Sequence, residues 1–394
     1  MNPGVIDSHA TWQSAARNAD YVPALTGLRG LAAGWVLVYH LWQFSGSPAL
    51  AIHVMGFAID FTPLAACGFL GVDLFFGLSG FLLSMPFHRA VLARTAMPSL
   101  RTFWMRRCRR VLPAYYANLA IIVVVLLALG QPALLTPLNL GSHLLLAQNL
   151  VPVRETFNGV YWTMPIEWDF YAILPLLMLA LARSRAGLVL LGMLALVLAF
   201  RLLCYGAYFN EPWARHFDYG WIVQLPARLD EFVFGVLAAG VFVRRPPSAR
   251  ARSTLLVIGA VGIALAMVVI TSVGNDLLPP QLPWVLLHFT WIGAAFGAFI
   301  LGAAGQRSWF CWRWLAWLGL ISYSLYLWHY PLLEAAQHFH LLGTGDTTAL
   351  LFTTLIATPA ILLVSWLSQH CVERPFLAPH QRKVADLQQL GAPE

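Results

Sequence analysis

Charged residues are scarce in this sequence. Only 10% of its 394 residues are Asp, Glu, Lys or Arg, whereas 59% are hydrophobic. No long stretch has the composition of a soluble domain, and this balance is typical of a polytopic membrane protein. The net charge of +7 does not indicate a nucleic-acid partner, because the arginines lie in short loops between apolar runs. The composition therefore indicates a chain embedded in a lipid bilayer.

Cysteines are few as well, and their spacing excludes the common motifs. The five cysteines form neither a CxxC pair nor a metal-ligand pattern, so they indicate buried thiols rather than a metal site. Cys67 and Cys204 lie near the same predicted membrane face, which leaves a disulfide between them open. Residues 1–20 have no apolar core next to a basic start, so we expect no cleaved signal peptide.

Ten apolar segments are long enough to cross a bilayer as helices of about twenty residues. The sequence therefore predicts an all-α integral membrane protein with ten transmembrane helices. The predicted spans are residues 24–44, 64–86, 111–130, 160–182, 186–204, 222–243, 254–273, 284–304, 314–336 and 348–370. Residues 139–150 are expected to form an interfacial or re-entrant segment.

The loop arginines predict the orientation of these spans. Basic residues follow every even-numbered span, whereas loops 45–63 and 274–283 contain none. The positive-inside rule then places both termini in the cytoplasm. The chain is expected to divide into a cytoplasmic segment 1–20, a transmembrane domain 21–376 and a cytoplasmic tail 377–394.

The first span contains an arginine and a histidine. Arg29 and His40 are eleven residues apart, which places them on one helix face, about 16 Å from each other along the axis. Ionisable residues inside a span indicate a functional site. Alternatively, Arg29 reaches the interface and His40 packs against a neighbouring helix. Close approach of such a neighbour is favoured by the small residues Gly30, Ala33 and Gly34.

The second and fourth spans contain carboxylates that are candidate partners of His40. In the second span, GFLGVDLFFGLSGFLL, Asp73 shares a glycine-lined face, which also fits helix packing alone. In the fourth, YWTMPIEWDFYAILP, Glu167 and Asp169 face roughly opposite sides, and Asp169 is expected to pack against Arg201 or another helix. Asp73 and Glu167 both fall in the predicted outer half of the membrane, as does His40. A contact between His40 and a carboxylate is therefore allowed by the geometry.

Two further segments are polar in a regular pattern. The ninth span, LGLISYSLYLWHYP, has a stripe formed by Ser322, Tyr326 and His329, and Pro331 is expected to loosen the helix there. The run RTFWMRRCRRVLPAYY before the third span fits either a topology signal in contact with anionic lipid or an anion site for a phosphorylated cytosolic ligand.

These motifs occur in a defined order along the chain. Arg29 and His40 are followed by GVDLFFGLSGF, RRVLPAYY, IEWDFY, SYSLYLWHYP and VERPF. Together, from about Tyr21 to Phe376, they resemble membrane-bound acyltransferase family 3, the bacterial O-acyltransferases of the inner membrane. The ordered set is a far more specific signal than any single motif.

The resemblance implies transfer of an acyl group, usually acetyl, from cytosolic acyl-CoA to a hydroxyl. The implied acceptors are sugars of lipopolysaccharide, exopolysaccharide or peptidoglycan, or a small glycosylated or lipid molecule. The functional positions of the family correspond to Arg29, His40, Asp73 and Glu167. Some relatives have a fused extracytoplasmic hydrolase-like domain, which we do not expect here. A reaction in which that domain finishes the transfer would then depend on a separate extracytoplasmic partner. No motif indicates a bound cofactor or metal.

We expect His40 to act as a general base or as a transient acyl acceptor, oriented by Glu167 or Asp73. The residues expected to donate to an oxyanion or to contact the acceptor are Tyr326, His329 and Ser322. The residues expected to bind the donor are Arg29, Arg106, Arg107 and Arg110. One alternative is a proton-coupled transporter or flippase of a polysaccharide precursor, although no internal repeat supports it. Another is a non-catalytic member of an export complex.

Overall fold

A computed structural model of the chain describes residues 22–54, 57–131, 134–150, 156–184, 186–210, 223–273, 282–305, 309–343 and 345–377. The predicted cytoplasmic segment 1–20 and nearly all of the predicted tail lie outside the described residues. Within the described ranges, the structure is helical apart from one β-hairpin and the connecting turns.

The helices follow the predicted spans closely. They are α1 (Pro23–Phe44), α2 (Thr62–Ala66), α3 (Leu70–Ala93), α4 (Leu100–Ala128), α5 (Pro137–Leu144), α6 (Thr163–Arg183), α7 (Ala186–Asn210), α8 (Leu225–Arg244), α9 (Ala249–Val273), α10 (Leu282–Ala303), α11 (Arg313–Leu320), α12 (Ser322–His338) and α13 (Thr347–Ser368). A 3₁₀ turn precedes α11 (Trp309–Cys311), and a π turn and a 3₁₀ turn follow α13 (Gln369–Glu373 and Arg374–Phe376). The hairpin pairs β1 (Ala51–Val54) antiparallel with β2 (Phe57–Asp60).

In the described part of the chain, seven helical segments are long and apolar enough to cross a membrane. They are α3, α4, α6, α7, α9, α10, and α13 with the turns after it. This confirms the prediction of an all-α membrane protein. The first, sixth and ninth predicted spans are also helical, as α1, α8 and the α11–α12 pair. The count of ten crossings and the cytoplasmic position of the termini stay predictions.

Burial separates inner helices from outer ones. The most apolar part of α3 is 78% buried, whereas the corresponding parts of α7 and α9 are each 17% buried. The outer helices expose leucine, valine and isoleucine, which suits contact with lipid tails. Because hydrocarbon cannot solvate charge, ionisable side chains collect between the inner helices. The buried charged residues include Asp73, Arg201, Arg228, Asp230 and Glu231.

Glycines bring α3 and α8 into backbone contact. A Cβ atom added to Gly80 would lie 2.0 Å from a carbonyl oxygen of α8, and one added to Gly235 would lie 2.0 Å from the carbonyl oxygen of Gly77. A side chain does not fit at such distances, so the glycine-lined face of the second span serves close helix packing, as one of its two interpretations predicted. This packing sets Asp73, one turn from Gly77, against Arg228, two turns from Gly235.

Helix α1 packs closely against α11 and α12. A Cβ atom on Gly30 would lie 2.2 Å from the carbonyl oxygen of Leu315 in α11, which confirms the predicted close approach. Ala33 is buried in a cluster with Leu325 of α12. These contacts fix the rotation of α1, and with it the direction in which Arg29 and His40 point.

Two segments differ from the sequence prediction. Helix α4 begins at Leu100, so the arginine run is helical rather than a loop before the third span. Ser99 caps this helix by accepting a hydrogen bond from the backbone nitrogen of Thr102. The ninth span breaks at Ile321 between α11 and α12, whereas Pro331 lies inside α12. The helix continues through Pro331, where the expected loosening stays a prediction, and the break lies nearly three turns earlier.

Candidate active site

Two adjoining cavities contain most of the predicted site residues. The larger has a volume of about 330 Å³, and the smaller has a volume of about 50 Å³. The larger, here named the His40 cavity, has among its lining residues His40, Asp73 and Arg228. The smaller, here named the Arg29 cavity, has among its lining residues Arg29, Glu167 and Ser322. Both cavities contact Val72 and Tyr326, so they lie on either side of these two residues.

The ring of His40 is oriented through its Nδ1 atom. Nδ1 lies 3.0 Å from the carbonyl oxygen of Val36, one turn earlier, and 3.2 Å from Nε2 of His329. A carbonyl oxygen only accepts, so this hydrogen-bond network assigns the proton to Nδ1. Nε2 is then the unprotonated nitrogen of the neutral ring. His40 is partly exposed and lines the cavity, which makes this nitrogen a base for a cavity occupant.

His329 is fixed in the same tautomer. Its Nδ1 lies 2.9 Å from the carbonyl oxygen of Leu325, so its proton is donated there. Its Nε2 accepts a hydrogen bond from Nδ1–H of His40, which also donates to the carbonyl oxygen of Val36. His329 is buried, and in the neutral form it has no further N–H to offer a substrate. His329 therefore helps to position His40.

The walls of the His40 cavity are largely aromatic. The rings of Tyr39 and Tyr330 meet His40 edge-on, with centroids 4.8 and 5.2 Å away. The aromatic residues that line the cavity are Tyr39, Phe69, Trp162, Trp284, Phe289, Tyr326 and Tyr330. Such rings present flat apolar faces beside a few polar atoms, which suits a sugar ring or an acyl group.

The two carboxylates predicted to orient His40 have other partners. Asp73 accepts a hydrogen bond of 2.6 Å from Arg228, and Glu167 accepts one of 3.0 Å from Ser79. His40 instead uses the backbone carbonyl and the second histidine described above. Among the described residues, no direct hydrogen bond therefore joins His40 to Asp73 or Glu167, and a contact with either carboxylate through one water stays a prediction. A backbone oxygen fixes the tautomer in place of a carboxylate.

Arg29 lines the Arg29 cavity, and its guanidinium group forms no direct ion pair with a described carboxylate. It donates to the hydroxyl of Ser322 at 3.4 Å, and its guanidinium carbon lies 5.5 Å from the centroid of Phe75. It interacts electrostatically with Glu167 and Arg110, but no carboxylate forms a salt bridge with it in the described ranges. Its planar fork is thus suited to a carbonyl or phosphate oxygen.

Tyr326 separates the two cavities. Its hydroxyl donates to the carbonyl oxygen of Val160 at 2.9 Å and accepts from Thr163 at 2.9 Å. The phenolic proton is therefore used by the backbone. To act as an oxyanion donor, Tyr326 would have to release that carbonyl.

The other three predicted donor-binding arginines, Arg106, Arg107 and Arg110, occupy the second and third turns of α4. Arg110 forms a 2.6 Å ion pair with Glu373, and this fully buried carboxylate also accepts from Ser324 at 2.5 Å. Arg106 is exposed, and Arg107 is partly exposed. Glu373 belongs to the VERPF motif, for which the sequence analysis predicted no individual role. It links α4, α12 and the end of α13.

The sequence analysis also did not predict which buried arginines pair with which buried carboxylates. Nη2 of Arg201 donates to both carboxylate oxygens of Asp230, at 2.7 and 2.9 Å, so Arg201 is not the partner of Asp169. Arg228 pairs with Glu231 at 2.7 Å in addition to its bond with Asp73 described above. The available signal was QLPARLDEF, in which three charges fall within one helical turn. Charges so placed inside a membrane require partners.

The described residues contain no group of three or more His, Cys, Asp or Glu side chains placed to hold a metal ion. All five cysteines are free thiols, so the disulfide left open between Cys67 and Cys204 is not formed. The side chains of the two cavities can provide acid–base catalysis at His40 and binding of an anion or a carbonyl group at arginine.

Comparison with known proteins agrees with this chemistry. Residues 22–370 match the family described as an acyltransferase domain. A peptidoglycan O-acetyltransferase of Listeria monocytogenes is 26% identical over 90% of this chain and 56% of its own length. A Bacillus subtilis protein provisionally named as a peptidoglycan O-acetyltransferase is 26% identical over 90% of this chain and 55% of its own length. No solved structure matches the chain.

The chain thus spans about half the length of the curated relatives it matches. The family match itself covers most of the chain, including α1 with Arg29 and His40. Together with the apolar helices, this match shows that the chain is a multi-pass membrane protein belonging to acyltransferase family 3.

Proposed function

We propose that this protein is a membrane O-acyltransferase. It would move an acyl group, most readily acetyl, from cytosolic acyl-CoA to a hydroxyl of a cell-envelope glycan, glycolipid or small glycosylated molecule. The observation that carries the proposal is the tautomer of His40, whose Nε2 is left as a base lining a cavity. O-acylation needs a base within reach of the attacking hydroxyl. Family membership and the names of the relatives support acetyl as the transferred group.

The donor is proposed to bind on the side of the arginine run. Coenzyme A carries several phosphates, which guanidinium groups bind through paired hydrogen bonds. Arg106, Arg107 and Arg110 are suited to these phosphates. Arg29 lines the Arg29 cavity and is suited to a phosphate or carbonyl oxygen of the donor. Acyl-CoA acts here as a substrate, and the reaction needs no bound cofactor.

The transfer can proceed in one step at His40. The hydroxyl oxygen attacks the thioester carbonyl carbon while Nε2 takes the hydroxyl proton. The C–S bond then breaks, and the coenzyme A thiolate receives that proton, which regenerates the neutral base. A two-step route, in which the acyl group first rests on Nε2 of His40, uses the same nitrogen.

The acceptor is proposed to be a sugar in the bacterial cytoplasmic membrane or its envelope. The aromatic walls of the His40 cavity support a carbohydrate. Two relatives are named for peptidoglycan, which makes this polymer one candidate acceptor beside lipopolysaccharide and exopolysaccharide. For a polymeric acceptor, a separate extracytoplasmic partner is proposed to complete the transfer.

Purified protein tests the proposal directly. Thiol release from acetyl-CoA would be measured with peptidoglycan fragments, lipopolysaccharide and lipid-linked sugars, beside binding of acetyl-CoA alone. His40→Ala should retain donor binding while kcat falls by about two orders of magnitude or more. Arg29→Lys keeps the charge but loses the fork, so it should mainly raise KM for acetyl-CoA.

His338→Ala is the matched control, because His338 is exposed at the end of α12. It should leave both kcat and donor binding unchanged. Normal transfer by His40→Ala would remove the mechanism. Uptake of a glycan precursor without acyl-CoA consumption by the wild type would favour a transporter instead.

A further inference from the structure

Acyl transfer also requires a hydrogen-bond donor for the thioester oxygen, and none of the three predicted donors serves in the His40 cavity. Ser322 lines the Arg29 cavity instead. When the hydroxyl attacks, negative charge develops on the carbonyl oxygen, and a preorganised donor stabilises it. Tyr326 donates its proton to the backbone, and so does His329. Neither neutral side chain has a second proton to give. The stabilising group has to be found elsewhere on the cavity wall.

Arg228 is the one arginine or lysine among the described residues that line the His40 cavity. Its side chain is 4% exposed. Nη2 donates to Asp73 at 2.6 Å, and Nε lies 2.7 Å from a carboxylate oxygen of Glu231. Nη1 has no hydrogen-bond partner within the described ranges, and Arg228 lines the cavity. Two N–H bonds of a buried cation therefore remain for the occupant of the cavity.

The guanidinium group of Arg228 is held in place by aromatic rings. Its central carbon lies 3.8 Å from the ring centroid of Phe289, 5.6 Å from that of Phe76 and 5.8 Å from that of Trp162. The two carboxylates fix its rotation, and the glycine contact between α3 and α8 fixes its backbone. A donor restrained in this way needs little reorganisation when charge develops beside it.

We propose that Arg228 is the oxyanion-binding residue of the His40 cavity, an inference that rests on the acyl transfer proposed above. Nη1 donates to the thioester carbonyl oxygen while His40 takes the hydroxyl proton. As the new C–O bond forms, the carbonyl π electrons move to the oxygen that faces Nη1. The carbonyl then re-forms, the C–S bond breaks, and the thiolate receives the proton from His40. Asp73 and Glu231 are positioning residues for the guanidinium group.

Arg228→Lys in purified full-length protein tests this role. Lysine keeps a cation beside the two carboxylates but loses the planar fork and Nη1. We expect kcat for acyl transfer to fall about 100-fold or more, as when an oxyanion donor is removed, with KM for acetyl-CoA nearly unchanged. Arg201→Lys is the matched control. Arg201 is equally buried and carboxylate-paired in the same bundle but does not line the cavity, so its kcat should stay within about threefold of wild type.

A second acyl donor distinguishes a loss of oxyanion binding from a general structural defect of the variant. Chloroacetyl-CoA has a more electrophilic carbonyl, so its oxyanion depends less on an external donor. The deficit of Arg228→Lys should therefore be smaller with chloroacetyl-CoA than with acetyl-CoA. Equal deficits with both donors, a wild-type kcat, or an equal loss in Arg201→Lys would overturn the role of Arg228.

A measurement on the wild type covers the case in which the variant does not fold. The carbonyl stretch of ¹³C-labelled acetyl-CoA should move to lower frequency on binding, because a charged donor weakens the C=O bond. An unshifted band would overturn the proposed contact. Absence of transfer by the wild type would instead refute the acyltransferase itself, so the two failures are distinguishable.

Discussion

Gly235→Ala should inactivate the protein by moving a charge pair far from the substituted atom. The new Cβ would lie 2.0 Å from the carbonyl oxygen of Gly77, and real Cβ atoms essentially never approach closer than 3.0 Å. Helices α3 and α8 would therefore have to separate by at least about 1 Å. Because Arg228 and Asp73 lie on the same helix interface, their 2.6 Å bond would be broken or skewed. A misplacement of this size costs about 100-fold in activity.

The assay combines thermal unfolding with acyl transfer from acetyl-CoA. Gly192→Ala is the matched control, since a Cβ there meets no atom within 4 Å. Alanine in place of an exposed helical glycine should be neutral, or stabilising by up to about 1 kcal/mol. Transfer by Gly235→Ala within a few-fold of wild type, with an unchanged unfolding temperature, would refute the reasoning that backbone contact sets the position of Arg228.

Two further predictions concern the donor side and the orientation. Glu373→Gln removes the buried charge that anchors Arg110, so KM for acetyl-CoA should rise about tenfold while kcat changes little. The exposed Glu334→Gln serves as its control, and a fall in kcat alone would contradict this role. Reporter fusions after Arg245 should lie in the cytoplasm, and those after Gly343 should lie outside. An exterior position for Arg245 would overturn both the orientation and the proposed binding side of acyl-CoA.

The position of the helices could be predicted because hydropathy is a local property. Each predicted span except the ninth falls on one long helix, even where Arg228, Asp230 and Glu231 interrupt the apolar pattern, and the ninth falls on the α11–α12 pair. The start of α4 and the break at Ile321 could not be predicted in the same way. Apolar length does not report a helix that extends into water, and the break leaves the surrounding composition unchanged.

The contacts of the site were harder to predict, because they depend on how helices rotate against one another. His40 and His329 are 289 residues apart in sequence, and Arg228 and Asp73 are 155 residues apart. The spacing of Arg29 and His40 indicated a shared face, but no local pattern indicates which neighbour meets that face. A backbone carbonyl as the partner of His40 also leaves no trace in residue identity, since every residue provides one.

The buried charge pairs also constrain the order in which this chain enters the membrane. Helix α8 carries three ionisable side chains in its first two turns, and each would oppose insertion of an isolated helix by up to about 3 kcal/mol. Its partners precede it during synthesis: Asp73 lies in α3 and Arg201 in α7. Arg201 itself can form its ion pair only after Asp230, in the next helix, has been synthesised. We therefore expect helices α7 and α8 to enter the bilayer together as a hairpin, with α3 already in place to receive Arg228.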